Sequence, residues 1–217
     1  ETGQKRIYRQ YPDLKLFGQD ALIMFECADL KDTLQHSVCN ILMRMDFIIE
    51  NKLRFKEYGG YDDTLFHAEM QPLVKRAVLM QKFTYTYYKR SNSISQFNYR
   101  KVFKIKEAYD AIGASETIIA HCKTLSEKQY FDVKCAKVMK QATFMLCGVL
   151  RHRNKMTDGK ISNKRLKQWY QHPATFMQIM SFKQYKLLNL VFWCLGKLPA
   201  SLLIVTMKVL GKKKGYL

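Results

Sequence analysis

Lys52-Leu53-Arg54-Phe55, Tyr58-Gly59-Gly60-Tyr61-Asp62-Asp63-Thr64-Leu65-Phe66, Phe83-Thr84-Tyr85-Thr86-Tyr87-Tyr88-Lys89-Arg90 and Asn92-Ser93-Ile94-Ser95 follow one another closely within residues 52–95. The glycine pair permits a tight turn, and the two acids after it suit a helix start, where exposed amides and the helix dipole favour negative charge. A helix capped by Asp62 or Asp63 is therefore predicted over 64–70, bent or restarted at Pro72. The run 78–88 is rich in β-branched and aromatic residues, as strands are. Two carboxylates behind a flexible turn can be held at the rim of a cleft, where a catalytic base is wanted. The plain alternative is that Asp62 and Asp63 only cap the helix.

Working outward, residues 18–30 have helix formers at helical spacing with Asp20 near the start, 37–44 form a short apolar stretch fit for a strand, and a short helix is expected over 46–51. From about residue 98 the pattern turns to long helical stretches. These are 99–124 with an interruption near Gly113, then 127–154, a Thr157-Asp158-Gly159 turn, 162–170 and 173–195. The expected architecture is α/β and helix-dominated: a mixed portion over 1–97 and a helical portion over 98–217, with neither an internal repeat nor a low-complexity linker.

The chain has 217 residues, of which 47% are hydrophobic and 13% aromatic, enough to bury a core and too apolar for a disordered chain. Its formal charge of +19 is uneven, since residues 151–217 carry fourteen Lys and Arg against the single acid Asp158. Such a field attracts polyanions, whether nucleic acid, an anionic leaflet or a phosphate-bearing substrate. The six cysteines (27, 39, 122, 135, 147 and 194) include no C-x-x-C pair and read mostly as small buried hydrophobes in a reducing, cytoplasmic compartment. The five histidines lack metal-ligand spacing with any cysteine, and His67, one turn after Asp63, reads as a core or helix-surface residue. At the end of the chain, apolar arms over 187–195 and 201–207 are broken by Gly196-Lys197-Leu198-Pro199 and followed by Lys208 and Lys212-Lys213-Lys214. Neither arm reaches the roughly 20 residues of a spanning helix. They suit an interfacial hairpin, with lysines at headgroup level and Trp193 at the boundary, or else a buried terminal helix pair.

The ordered set Ser37-Val38-Cys39-Asn40-Ile41-Leu42-Met43-Arg44, Asn51-Lys52-Leu53-Arg54-Phe55, Tyr61-Asp62-Asp63-Thr64-Leu65-Phe66, Tyr87 to Arg90 and Asn92-Ser93-Ile94-Ser95 resembles the acceptor half of bacterial family 2 glycosyltransferases, which build capsules, O-antigens and other surface polysaccharides. The resemblance covers about residues 15–97 and lies in the order of the pieces. It implies a GT-A type fold, with Asp63 on the family's catalytic base, Asp62 on the acid beside it, Arg90 on a basic residue near the donor diphosphate, and Tyr61 and Tyr87 as further substrate-binding residues. Cys39, Ile41 and Tyr88 depart from the family's usual tryptophan, lysine and arginine.

What the resemblance implies is an inverting transfer from a nucleotide-sugar donor to a hydroxyl of a glycan or lipid-linked glycan acceptor, with Asp63 taking the hydroxyl proton. A divalent cation, Mg or Mn, is implied for the complete enzyme, held by a D-x-D pair. This chain contains no D-x-D and no opening nucleotide-binding βαβ unit. The expectation is therefore a C-terminal portion of a longer enzyme, without turnover on its own, cytoplasmic and peripheral to the inner face of the cell membrane. Its expected partners are the donor, the acceptor and an anionic membrane surface, and not nucleic acid. The competing class is a basic helical nucleic-acid-binding or membrane-peripheral module without catalysis. Against nucleic acid, the terminal lysines are interleaved with apolar runs and no recognition motif appears.

Overall fold

The computed structural model describes residues 7, 10–31, 34–88 and 103–215. In chain order the elements are β1 (Leu14–Phe17), α1 (Ala21–Glu26), α2 (Met45–Glu50), α3 (Asp62–Met70), β2 (Arg76–Leu79), α4 (Ile105–Lys123), α5 (Phe131–His152), α6 (Asn163–Trp169), α7 (Phe176–Ser181), α8 (Lys186–Lys197) and α9 (Ala200–Lys213). Helix dominates, as the sequence pattern predicts. The described sheet is a single antiparallel pair, β1 with β2, in the register Leu14↔Leu79 to Phe17↔Arg76.

The main core forms around α4 and α5. On α4, Ala108, Ala111, Ile112, Ser115, Ile118, Ile119 and Cys122 are buried at three- and four-residue steps, giving the stripe an amphipathic helix needs. They pack against Cys135, Val138, Met139, Ala142 and Leu146 of α5. The Asp158 carboxylate accepts the Ile105 N–H at 2.8 Å and so caps the first turn of α4. The helix runs unbroken through Gly113, contrary to the interruption expected there. A Cβ at Gly113 would sit 2.4 Å from the Tyr58 ring, so the glycine answers a close approach rather than a break.

A single helix was expected over 173–195, and α7 and α8 stand there instead. Thr175 and Gln178 cap the start of α7 reciprocally, and Tyr185 adopts φ 51° before α8. The turn is fixed from α5: Asp132 accepts the Gln184 N–H at 2.8 Å. Asn189 donates to Asp132 O at 3.0 Å and accepts from His172 Nε2 at 3.1 Å, while His172 Nδ1 accepts the Ala174 N–H at 3.0 Å. α8 and α9 both pack on α5.

In the N-terminal portion a second apolar cluster gathers Leu22, Leu34, Leu53, Phe66, Met70 and Leu79, while Ile23, Leu65 and Ala68 reach into the main core. Lysines of α5 and of the turn before it tie the two together. Lys137 reaches Glu26 at 2.9 Å, Lys134 donates to Gln71 Oε1 at 3.2 Å, and Lys128 reaches Asp20 at 2.8 Å.

Two expected strands do not form. Residues 37–44 contain the 3-10 turn Val38–Asn40 with extended flanks. Of 78–88, Val78 and Leu79 alone belong to β2, and 83–88 lie exposed outside any strand. A strand is made by its neighbour's hydrogen bonds, and β1 ends its pairing at Leu14↔Leu79. Composition alone cannot supply the partner.

Candidate active site

α3 is built to present its first turn. Gly59 and Gly60 have φ values of 28° and 85°, within the left-handed region, and the Tyr61 N–H closes the turn on Tyr58 O at 3.1 Å. The Leu65 N–H then makes the first helical bond to Tyr61 O, also at 3.1 Å. The turn sits directly on α4. A Cβ at Gly59 would lie 2.8 Å from Asp110 Oδ2, and the Tyr58 ring covers Gly113.

Beyond its first turn α3 is anchored on nearly all sides. Leu65, Phe66, Ala68 and Met70 are buried, the Phe66 ring stacks on Phe55 at 4.5 Å, and Glu69 pairs with Lys56. Asp62 and Asp63 occupy the half-buried first turn. Neither carboxylate has a hydrogen-bond or ion-pair partner among the described residues. That is unusual in a chain with 37 Lys and Arg against 18 acids. Asp20, Glu26, Glu69 and Glu116 each take a lysine or arginine. Two adjacent acids held on a fixed helix without a cation have open lone pairs, and such a carboxylate can accept the proton of a hydroxyl brought within hydrogen-bond distance.

His67 is not on the helix surface. It is 2% exposed, its ring meets that of His36 at 5.9 Å edge to face, and its Nδ1 has no hydrogen-bond partner among the described residues. Burial first, then the nearby His36 and Lys134, lower its pKa to about 3, so the ring is neutral and offers Asp63 no positive charge.

Tyr61 is half-buried and packs against the main core, next to the two aspartates in the chain. Tyr87 is exposed on the segment after β2. Arg90 lies outside the described residues, as do Asn92-Ser93-Ile94-Ser95. The braces Tyr58, Asp110 and Gly113 were not anticipated, and their one sequence signal was a glycine inside a helical stretch.

Among the described residues no group of three or more His, Cys, Asp or Glu side chains could hold a metal ion, so the implied cation fits no site there. All six cysteines are free, with Cys27, Cys122, Cys135 and Cys147 buried as small hydrophobes and Cys39 and Cys194 exposed. A recess between α4 and α5, lined by Ser115, Val138 and Met145, is too narrow for a water molecule. No described helix is long and apolar enough to cross a membrane. No family model, curated protein or solved structure matches this chain.

Proposed function

We propose that this chain carries the acceptor side of an inverting glycosyltransferase of the family 2 kind, in which Asp63 is the base. The supporting observation is the half-buried Asp62-Asp63 pair, which has no cation among the described residues of a strongly basic protein and is presented by a helix braced on α4. An acceptor hydroxyl placed at this turn gives its proton to Asp63 as its oxygen attacks the anomeric carbon of a nucleotide-activated sugar. The C–O bond to the new acceptor forms, the bond to the nucleoside diphosphate breaks on the opposite face, and the diphosphate departs with the bonding electron pair. Asp62 adjoins the base, and Tyr61, Tyr87 and Arg90 serve substrate binding.

The donor nucleotide requires a further GT-A type portion. The outer sheet face, where exposed Phe17 and Val78 stand beside Lys15 and Arg76, and the exposed aromatic segment Phe83, Tyr85, Tyr87 and Tyr88 offer apolar and basic surface to receive it. The acceptor is a glycan or lipid-linked glycan of surface polysaccharide synthesis, and the protein works on the cytoplasmic side, peripheral to the inner face of the cell membrane.

The test is release of nucleoside diphosphate from a panel of nucleotide-sugars by the complete gene product. Asp63→Asn is expected to lower transfer at least 100-fold, the lower range for a general base, with donor affinity within twofold of the parent. No transfer by the parent with any donor, or an active Asn variant, overturns the reading.

A further inference from the structure

Three short helices at the end of the chain carry apolar side chains on their outward faces. On α8 the outward positions are Leu187, Val191 and Cys194, with Leu187 75% exposed, while Asn189, Phe192 and Gly196 are buried. On α9 Leu202, Val205 and Val209 are exposed together with Ser201, Lys208, Lys212 and Lys213, while Leu203, Ile204, Met207 and Gly211 are buried. Both helices therefore set large apolar side chains among exposed lysines, at 186, 197, 208, 212 and 213, on the face that meets water, which marks a surface made for something else. α7 packs on α8 and adds exposed Phe176, Met177 and Met180; the Phe176 ring lies 5.4 Å from that of Trp193. Lys197 Nζ stands 5.1 Å over the Trp193 ring.

Charge identifies the occupant. Residues 159–217 contain no Asp or Glu, and 176–217 contain seven lysines, at 183, 186, 197, 208 and 212–214. A second copy of this chain would set lysine against lysine. Nucleic acid would satisfy the lysines and leave Leu187, Val191, Leu202 and Val205 in water. Apolar side chains bordered by unopposed lysines, with a tryptophan among them, match the acyl and headgroup layers of an anionic bilayer.

The surface also exists before it meets lipid. α8 is held to α5 by the buried His172, Asn189 and Asp132 contacts, and Lys167 donates to Gly196 O. α9 is held by Met207, whose carbonyl accepts from Cys147 Sγ at 3.6 Å.

We propose that α7, α8 and α9 form a preformed docking surface for anionic phospholipid bilayers, one that binds without folding on contact. It is tested with the full chain on phosphatidylcholine vesicles with and without about a third phosphatidylglycerol. Sedimentation with the anionic vesicles only, a blue shift of Trp193 emission and unchanged far-ultraviolet circular dichroism are expected. The vesicles should shield Cys194 from a water-soluble thiol reagent while Cys39 continues to react.

Val205→Glu with Val209→Glu, both exposed, is expected to abolish binding while melting as the parent does. Lys212→Gln with Lys213→Gln and Lys214→Gln is expected to weaken binding about 100-fold. Equal binding to neutral vesicles, no binding, a rise in helicity on contact, or retention of binding by the double Glu variant overturns the proposal. So does a dimer, or tight DNA retention, that the double Glu variant removes. Lipid binding is the readout, so this surface and the proposed sugar transfer can fail independently.

Discussion

Replacing His67 by leucine should flatten the acid response of this protein. In the unfolded chain a histidine titrates near pH 6.5. In the fold, burial and the neighbouring His36 and Lys134 lower the pKa of His67 to about 3. Between those values the unfolded state binds a proton that the folded state refuses, so stability falls as pH falls below about 6.5, by about 1.4 kcal/mol per pH unit. From pH 7 to pH 5 this amounts to roughly 2 kcal/mol from His67 alone, a range that stays above most carboxylate titration. At 2% exposure the ring has almost no water to screen it. His121 and His172 are lowered in the same direction, chiefly by burial, and steepen the fall.

His67→Leu removes one of these protons and also a buried Nδ1 that lacks a partner among the described residues. Urea unfolding of parent and variant at pH 7, 6 and 5 measures the difference directly. The variant should gain roughly 2 kcal/mol relative to the parent between pH 7 and pH 5, with equal m-values. A free-energy difference that stays constant over that range would refute the buried, neutral ring.

Other consequences can be measured on the same protein. Lys137→Met leaves the buried Glu26 carboxylate without its cation and should cost about 3–5 kcal/mol in urea unfolding, part of it recovered by adding Glu26→Gln. Gly113→Ala should lower the melting temperature even though alanine favours helix by about 1 kcal/mol, because its Cβ meets the Tyr58 ring at 2.4 Å. Of the six thiols, Cys39 and Cys194 should react promptly with a thiol reagent in the folded state. Cys27 and Cys147, whose pKa values burial pushes up to about 11, should react on unfolding.

The long helices were legible because α4 and α5 repeat their apolar residues at helical spacing over many turns. The start of α3 was legible too, since Gly-Gly before two acids and an apolar run is a local signal for it, but the expected cap is not made: Tyr61 stands at the N-cap position and neither aspartate side chain bonds a first-turn amide. What escaped depends on residues distant in the chain. The break between α7 and α8 is held by Asp132, 52 residues before Gln184. The neutral state of His67 depends on burial together with the charges of His36 and of Lys134 on α5, all contributed by residues distant in the chain. The 83–88 segment has strand composition but joins no described strand, and composition carries no information about neighbours.

That same segment has a cost for the isolated polypeptide. Phe83-Thr84-Tyr85-Thr86-Tyr87-Tyr88 is six residues long, uncharged, free of glycine and proline, and solvent-exposed, the composition from which steric zippers assemble. Lys82 on one side and Lys89-Arg90 on the other act as gatekeepers, and the overall charge of +19 keeps copies apart. Both protections are coulombic. Raising ionic strength shortens their reach to a few ångströms, so concentrated stocks should fibrillise in high salt and stay clear in low salt.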